Sequence, residues 1–154
     1  MKALTLTQPW ASLVAIGAKS IETRGWRTSY RGPLAIHAAK GFPKDAVDCL
    51  DIFVFFGAFR PDHAEMLKSA GVRLVPNACK RELAGYLPRG AVIATCQLTA
   101  CTLISQEFEE RLTNQERAFG NYDAGRYAWI LGDIKALPEP IPAKGALSLW
   151  EWKP

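Results

Sequence analysis

The sequence is short of several things, and each shortage excludes a class of protein. It has four cysteines, Cys49, Cys79, Cys96 and Cys101, with no C-x-x-C pair among them. A zinc ribbon or a thioredoxin-type redox motif is therefore not expected. Cys96 and Cys101 stand five apart in a strand-like segment. That odd separation puts them on opposite faces, so free thiols in a reducing cytoplasm are the simplest expectation. The only histidines are His37 and His63. No partner at metal spacing is visible for either, so no metal site and no cofactor are expected. No apolar run approaches the roughly 20 residues of a membrane span. The longest, around Ile52, Phe53, Val54, Phe55 and Phe56, is too short. The first ten residues lack the long apolar stretch and small-residue cleavage site of a secretion signal. A cytoplasmic protein without membrane contact is expected. There is no repeat, no low-complexity tract and no Pro/Gly/Ser linker. No G-x-S-x-G, H-E-x-x-H or P-loop pattern occurs.

What remains is an ordinary globular chain with one unusual stretch. Its 154 residues are 49% hydrophobic and 22% charged, enough for a core within one domain spanning 1–154. The formal net charge is +4, and it is unevenly spread. Between Lys19 and Lys44 lie Lys19, Arg24, Arg27, Arg31, Lys40 and Lys44 against a single acid, Glu22. This stretch alone exceeds the net charge of the whole chain. Trp26, Tyr30 and Phe42 are interleaved with the cations. Basic residues mixed with aromatics suit phosphate contact plus base stacking. They equally suit a solvated face whose Arg and Lys stems cover apolar neighbours.

The elements read as follows. Residues 3–6 form a strand. A short helix follows, with Gln8 as its N-cap, Pro9 at its first position, and Trp10, Leu13 and Val14 on one face. Gly17 stops it. Residues 20–26 alternate like an edge strand, and 33–38 read as a buried strand. Residues 43–70 read as a helical insert broken near 57–61. The stretch 91–104, rich in Val, Ile and Thr, gives the strongest strand signal. Residues 105–117 read as a surface helix with a solvated acidic face. Strands at 126–134 and 147–152 complete a mixed α+β domain or small barrel. Trp129 is expected in the core, with Trp150 and Trp152 sharing a face. His37, in an apolar strand, is expected to be a satisfied structural residue.

Two stretches carry a family resemblance. Gln8-Pro9-Trp10 precedes Gly17, Lys19, Glu22 and Arg24, which together fit G-x-K-x-x-E-x-R after a first helix. Arg31-Gly32-Pro33-Leu34-Ala35-Ile36-His37 follows downstream. This arrangement resembles the ASCH family. It is similar to the ASCH module of a eukaryotic transcription coactivator. Gly125-Arg126-Tyr127-Ala128-Trp129 and Leu149-Trp150-Glu151-Trp152 look like the endings of bacterial and phage stand-alone members. The resemblance implies a PUA-like fold, a small mixed β-barrel with helices packed at its mouth. It implies a cleft where the first helix meets the motif loop, and RNA, other nucleic acid, or a nucleoside or nucleotide as partner.

The motif's own chemistry is compatible with that implication. In an extended strand Glu22 and Arg24 share one face and Thr23 takes the other. Arg24 suits phosphate as a fork and Lys19 as a point charge. Glu22 suits an amino group on a base edge, or holds Arg24 in place. Gln8 offers an amide for a base edge, and Trp10 and Trp26 offer indoles for stacking. Arg31 and Tyr127 complete the candidate binding set. The plain alternative is a structural ion pair at a strand edge, worth under about 1 kcal/mol.

Three functions stay open. The first is binding of RNA or of a nucleotide or modified base. The second is a hydrolase, either an amidohydrolase on an acylated nucleoside or a ribonuclease, with Lys19 and Glu22 catalytic. Acetylcytidine hydrolases of the superfamily resemble G-x-K-x-x-T-x-R, with threonine as nucleophile. Here that position is Glu22, and Thr23, one residue along, faces the other way. The third is a protein-interaction domain.

Overall fold

The computed structural model describes residues 1–44, 46 and 85–154. Nearly all of the expected 43–70 insert lies outside these, as do Cys49, Cys79 and His63. The described chain builds one six-stranded sheet with short helices. Its elements are β1 (Lys2–Leu6), α1 (Trp10–Ala15), β2 (Ile21–Arg24), β3 (Gly32–Ala38), β4 (Ala91–Leu103), α2 (Gln106–Glu110), α3 (Asn114–Ala118), β5 (Tyr127–Pro142) and β6 (Leu149–Glu151). The strand order is β2-β5-β4-β3-β1-β6. Only β1 and β3 run parallel, with Lys2 opposite Leu34 and Leu6 opposite Ala38. The sheet curls into a half-barrel, the mixed α+β, PUA-like architecture expected.

Strand alternation sorts the side chains into two cores. Leu4 and Leu6 of β1, Leu34 and Ile36 of β3, and Ile93 of β4 point to the face covered by α1, where Leu13, Val14 and Phe119 meet them. Ala3, Ala35 and Val92 point the other way, against Trp152, with Trp150 alongside. Each fully buried Leu or Ile contributes about 1.5–3 kcal/mol. That burial, rather than helix propensity, stabilises the six-residue α1, five of whose residues are buried.

Two local features place the motif. The helix starts at Trp10, one residue later than expected, with Pro9 as N-cap. Gln8 is fully buried. Its Oε1 accepts from Ser12 N at 3.1 Å and its Nε2 donates to Pro88 O at 2.7 Å. At the other end Gly17 takes φ +72°, a conformation glycine adopts without the Cβ penalty. The chain then turns so that Lys19 N donates to Leu13 O at 3.1 Å. This turn sends the Lys19 side chain inward.

Bulges change the alternation. β4 and β5 slip register between Leu98 and Ala100. One extra residue inverts which face the following side chains take. Cys96 and Cys101, expected on opposite faces, therefore pack against the same core cluster, and both are free thiols. Asp133, at φ +47°, marks a second slip in β5, and Asp is among the few residues that tolerate this conformation. Beyond it β5 runs eight residues further than the expected end at 134, through Pro138, Pro140 and Pro142. In this half β5 pairs with β4 but not with β2, which reaches only Tyr127 to Ile130. An edge tolerates residues without an N–H.

Candidate functional site

The site forms where β1 ends, α1 begins and β2 passes beside them. Thr5, Leu6, Thr7, Trp10, Glu22 and Arg24 line a cavity of about 140 Å³. β2 lies antiparallel to β5, with Glu22 opposite Trp129 and Arg24 opposite Tyr127. Cross-strand partners share a face, so Glu22 and Arg24 both rise on the side of the aromatic pair. Trp129 is fully buried, as expected.

Arg24 is held at two points. Nη2 donates to Thr5 O at 2.9 Å, and Nε lies 3.2 Å from Glu22 Oε1. That Nε–H is buried and poorly aligned to the carboxylate, leaving it without a hydrogen-bond acceptor among the described residues. Glu22 is itself buried, and burial raises its pKa above the ordinary 4.5. Arg24, Lys19 and Arg126 pull the other way, while Glu116 adds to the rise. Desolvation outweighs attraction here because the carboxylate has lost its water on nearly every side.

Lys19 stands behind this wall rather than in it. Its side chain is 1% exposed. Nζ donates to Glu116 Oε1 at 3.0 Å and to Tyr122 OH at 3.3 Å. Glu116 Oε2 accepts from Ser20 N at 3.0 Å. The Tyr122 hydroxyl donates to Glu116 Oε1 at 2.8 Å, and burial beside that carboxylate pushes its pKa up. A Cβ on Gly120 would fall 2.7 Å from the Tyr122 ring and 3.0 Å from Lys19 Nζ. Glycine there lets the chain close over the buried ammonium. Glu116, read from the sequence within a solvated acidic face, is in fact buried, and α3 delivers it. Thr113 caps α3 by accepting from Glu116 N at 3.1 Å. The T-x-x-E spacing of Thr113 and Glu116 is the one local signal that sets this residue apart from Glu107, Glu109 and Glu110.

The other candidate residues are placed as follows. Trp10 is partly buried and lines the cavity. Trp26 is 36% exposed and meets Trp129 edge-on, ring centroids 4.6 Å apart at 86°. Tyr127 packs against the main core beside Arg24. Gln8 is occupied at both ends of its amide. Arg31 is exposed and folds Nη1 back onto the carbonyls of Thr28 and Tyr30. Thr5 and Thr7, which line the cavity, carried no sequence signal. In the sequence Arg126 stands out only as part of the family-like stretch 125–129. It donates to Thr23 O at 3.2 Å and adds positive charge near Glu22. Lys19, Arg24 and Arg126 thus surround Glu22 with positive charge, and Glu116 pairs with Lys19 behind it.

Among the described residues no group of three or more His, Cys, Asp or Glu is placed to hold a metal ion. No helix among them is long and apolar enough to cross a membrane.

No curated protein matches the sequence. Among solved structures, the crystal structure of a ZmASCH mutant protein from Zymomonas mobilis aligns over 99% of this chain and 89% of that one, at 15% identity and a TM-score of 0.49. The model of the ASCH domain matches residues 4–140, a span that takes in the G-x-K-x-x-E-x-R motif, the cavity and the buried Lys19–Glu116 pair. The chain belongs to the ASCH domain family.

Proposed function

We propose that this protein binds RNA, with one unstacked base entering the cavity between Trp10, Glu22 and Arg24. ASCH domains are PUA-like and are generally thought to bind RNA. The observation that carries the reading is the pairing of Glu22 and Arg24, 3.2 Å apart on the wall of one cavity of about 140 Å³. A cavity of roughly 150 Å³ holds a benzene ring, so one planar heterocycle is the matching size. Glu22 accepts from an exocyclic amino group. Arg24, whose guanidinium stands on the cavity wall, donates to a ring nitrogen or carbonyl. Trp10 supplies a stacking surface, and such stacking is worth about 1–3 kcal/mol per base. Trp26 and Tyr127 border this wall, and Arg31 supplies a phosphate contact outside it. Lys19 acts through the field it contributes behind Glu22. The free thiols of Cys96 and Cys101 suit a reducing cytoplasm.

A hydrolase remains the second reading, favoured by one observation: the raised pKa of Glu22 brings a buried carboxylate toward the range of a general base. Lys19, committed to Glu116 and Tyr122, then stabilises charge rather than acting as a base itself.

Filter binding of a mixed-sequence single-stranded RNA at two salt concentrations tests the first reading. Affinity that is lost in Arg24→Ala while the variant stays folded is the expected result. Absence of any affinity for RNA at low salt would overturn it. Incubation with acetylcytidine and labelled RNA, alongside Glu22→Gln, tests the second. Turnover that disappears in Glu22→Gln while binding persists supports an enzyme.

A further inference from the structure

A second, larger chamber adjoins the base cavity. It has a volume of about 950 Å³, and Thr5 is a lining residue of both cavities. The two faces of Thr5 serve the two chambers. Its carbonyl oxygen holds the Arg24 guanidinium at 2.9 Å. Its hydroxyl lies 3.2 Å from His37 Nδ1, accepts from Trp150 Nε1 at 3.1 Å and reaches Ala146 O at 3.1 Å. His37 is 2% exposed. Its other nitrogen lies 3.1 Å from Ala143 O, and the Trp150 ring stands edge-on to it at 5.6 Å. The floor at Thr5 and His37 is thus held by hydrogen bonds to β6 and to the loop at 143–146.

The chamber's lining is chemically one-sided. Lys40, Arg89 and Lys144 are exposed around it, and among the described residues no carboxylate lines it. The remaining walls are largely apolar, from Ala39, Pro142, Ala143 and Leu147. Three cations above largely apolar walls, with no acid among the described lining residues, suit a ligand that combines phosphate with a carbon skeleton. The ribose-phosphate part of a nucleotide is such a ligand.

We infer that this chamber is the phosphate-binding half of the site, taking the sugar-phosphate of the nucleotide whose base occupies the Glu22–Arg24 cavity. The inference rests on the base-binding reading above and adds Lys40, Arg89 and Lys144 as phosphate ligands. The strand crosses Thr5 between the two halves. The same chemistry is offered by a single-stranded RNA or by a free nucleotide.

The test uses the triple variant Lys40→Ala/Arg89→Ala/Lys144→Ala. A control triple, Arg111→Ala/Lys135→Ala/Lys153→Ala, removes equal charge elsewhere on the surface. Three probes are titrated: a labelled mixed-sequence 12-nucleotide single-stranded RNA, the four nucleoside monophosphates, and inorganic pyrophosphate. Each single-strand phosphate contact contributes about 0.7 to the slope of log affinity against log salt. The site triple is expected to flatten the RNA slope by about 2, and the control triple to leave it near wild type. Pyrophosphate is expected to shift the His37 imidazole resonances saturably in wild type and not in the site triple. Saturable monophosphate binding lost in the site triple identifies free nucleotides as ligands, and RNA binding alone identifies a strand. An RNA slope unchanged in the site triple, with no pyrophosphate response in wild type, overturns this inference and leaves the base cavity standing. A pyrophosphate response without affinity for RNA or monophosphates overturns the base-binding reading and keeps the chamber as a phosphate site.

Discussion

Lys19 Nζ lies 3.0 Å from Glu116 Oε1, and neither side chain is more than 9% exposed. The pair joins the loop after α1 to α3 across 97 residues. An ammonium out of water needs a partner, because the cost of desolvating it is several kcal/mol. Removing one member leaves the other buried without its counter-ion. Glu116→Ala is therefore expected to destabilise the domain by about 3–5 kcal/mol, read as a lowered urea midpoint. The double variant Lys19→Met/Glu116→Met is expected to cost clearly less than the two single changes added together. A Glu116→Ala midpoint equal to wild type would contradict the pairing.

Arg24 depends on its fork. One arm reaches Thr5 O while Nε sits beside Glu22, and a lysine cannot do both. Arg24→Lys is expected to weaken RNA binding by tenfold or more, about 1.4 kcal/mol, nearly as much as Arg24→Ala. Arg31→Ala, outside the cavity, is expected to lower the salt slope by about 0.7 with little other effect. Fluorescence anisotropy at several salt concentrations separates the two. Full affinity in Arg24→Lys would mean that charge alone matters at this position.

Glu22 makes stability depend on pH in an unusual direction. Its folded-state pKa is raised by burial, against Arg24, Lys19 and Arg126 and with Glu116. Below pH 4.5 both folded and unfolded states hold the proton. Above it the unfolded chain releases a proton that the folded protein keeps, so this contribution is lost as pH rises through the folded value. His37, whose pKa is lowered from 6.5 chiefly by burial, acts oppositely, and its contribution is lost as pH falls below 6.5. Subtracting the urea midpoints of Glu22→Gln from those of wild type isolates the first effect. The difference is expected to decline from pH 4.5 upward. A difference that grows with pH would show the ion pair with Arg24 outweighing burial.

Gly145 lies against His37 so closely that an added Cβ would fall 2.4 Å from Cε1 and 2.6 Å from Nδ1. The imidazole is anchored on both nitrogens and cannot swing away without breaking a bond. Gly145→Ala is expected to cost about 1–3 kcal/mol through overpacking and to shift the His37 ring resonances. Unchanged resonances and stability would show that the loop at 143–147 yields freely.

The parts of this structure that sequence reveals are those governed by short periods. β1 through β4 follow from alternation and β-branched content. The end of α1 follows from Gly17, and the common face of Glu22 and Arg24 follows from a period of two. What escapes are features set by long-range contact. The acidic run holding Glu116 looks solvated because nothing local says that Lys19 arrives from 97 residues away. Cys101 changes face because a bulge at Leu98 to Ala100 inserts one residue. The second half of β5 is hidden by three prolines that only an unpaired edge accommodates. Gln8 offers an amide that looks suited to a base edge, yet the fold uses both ends of it on the backbone at Ser12 and Pro88.

The most direct test of the central claim is an NMR titration of the protein with the mixed-sequence 12-nucleotide single-stranded RNA, following the Arg24 Nε–H and Trp10 indole N–H signals. Saturable shifts of both, with the buried Trp129 indole little changed, are the predicted result. RNA binding that moves signals elsewhere and leaves Arg24 and Trp10 where they were would contradict the assignment of this cavity.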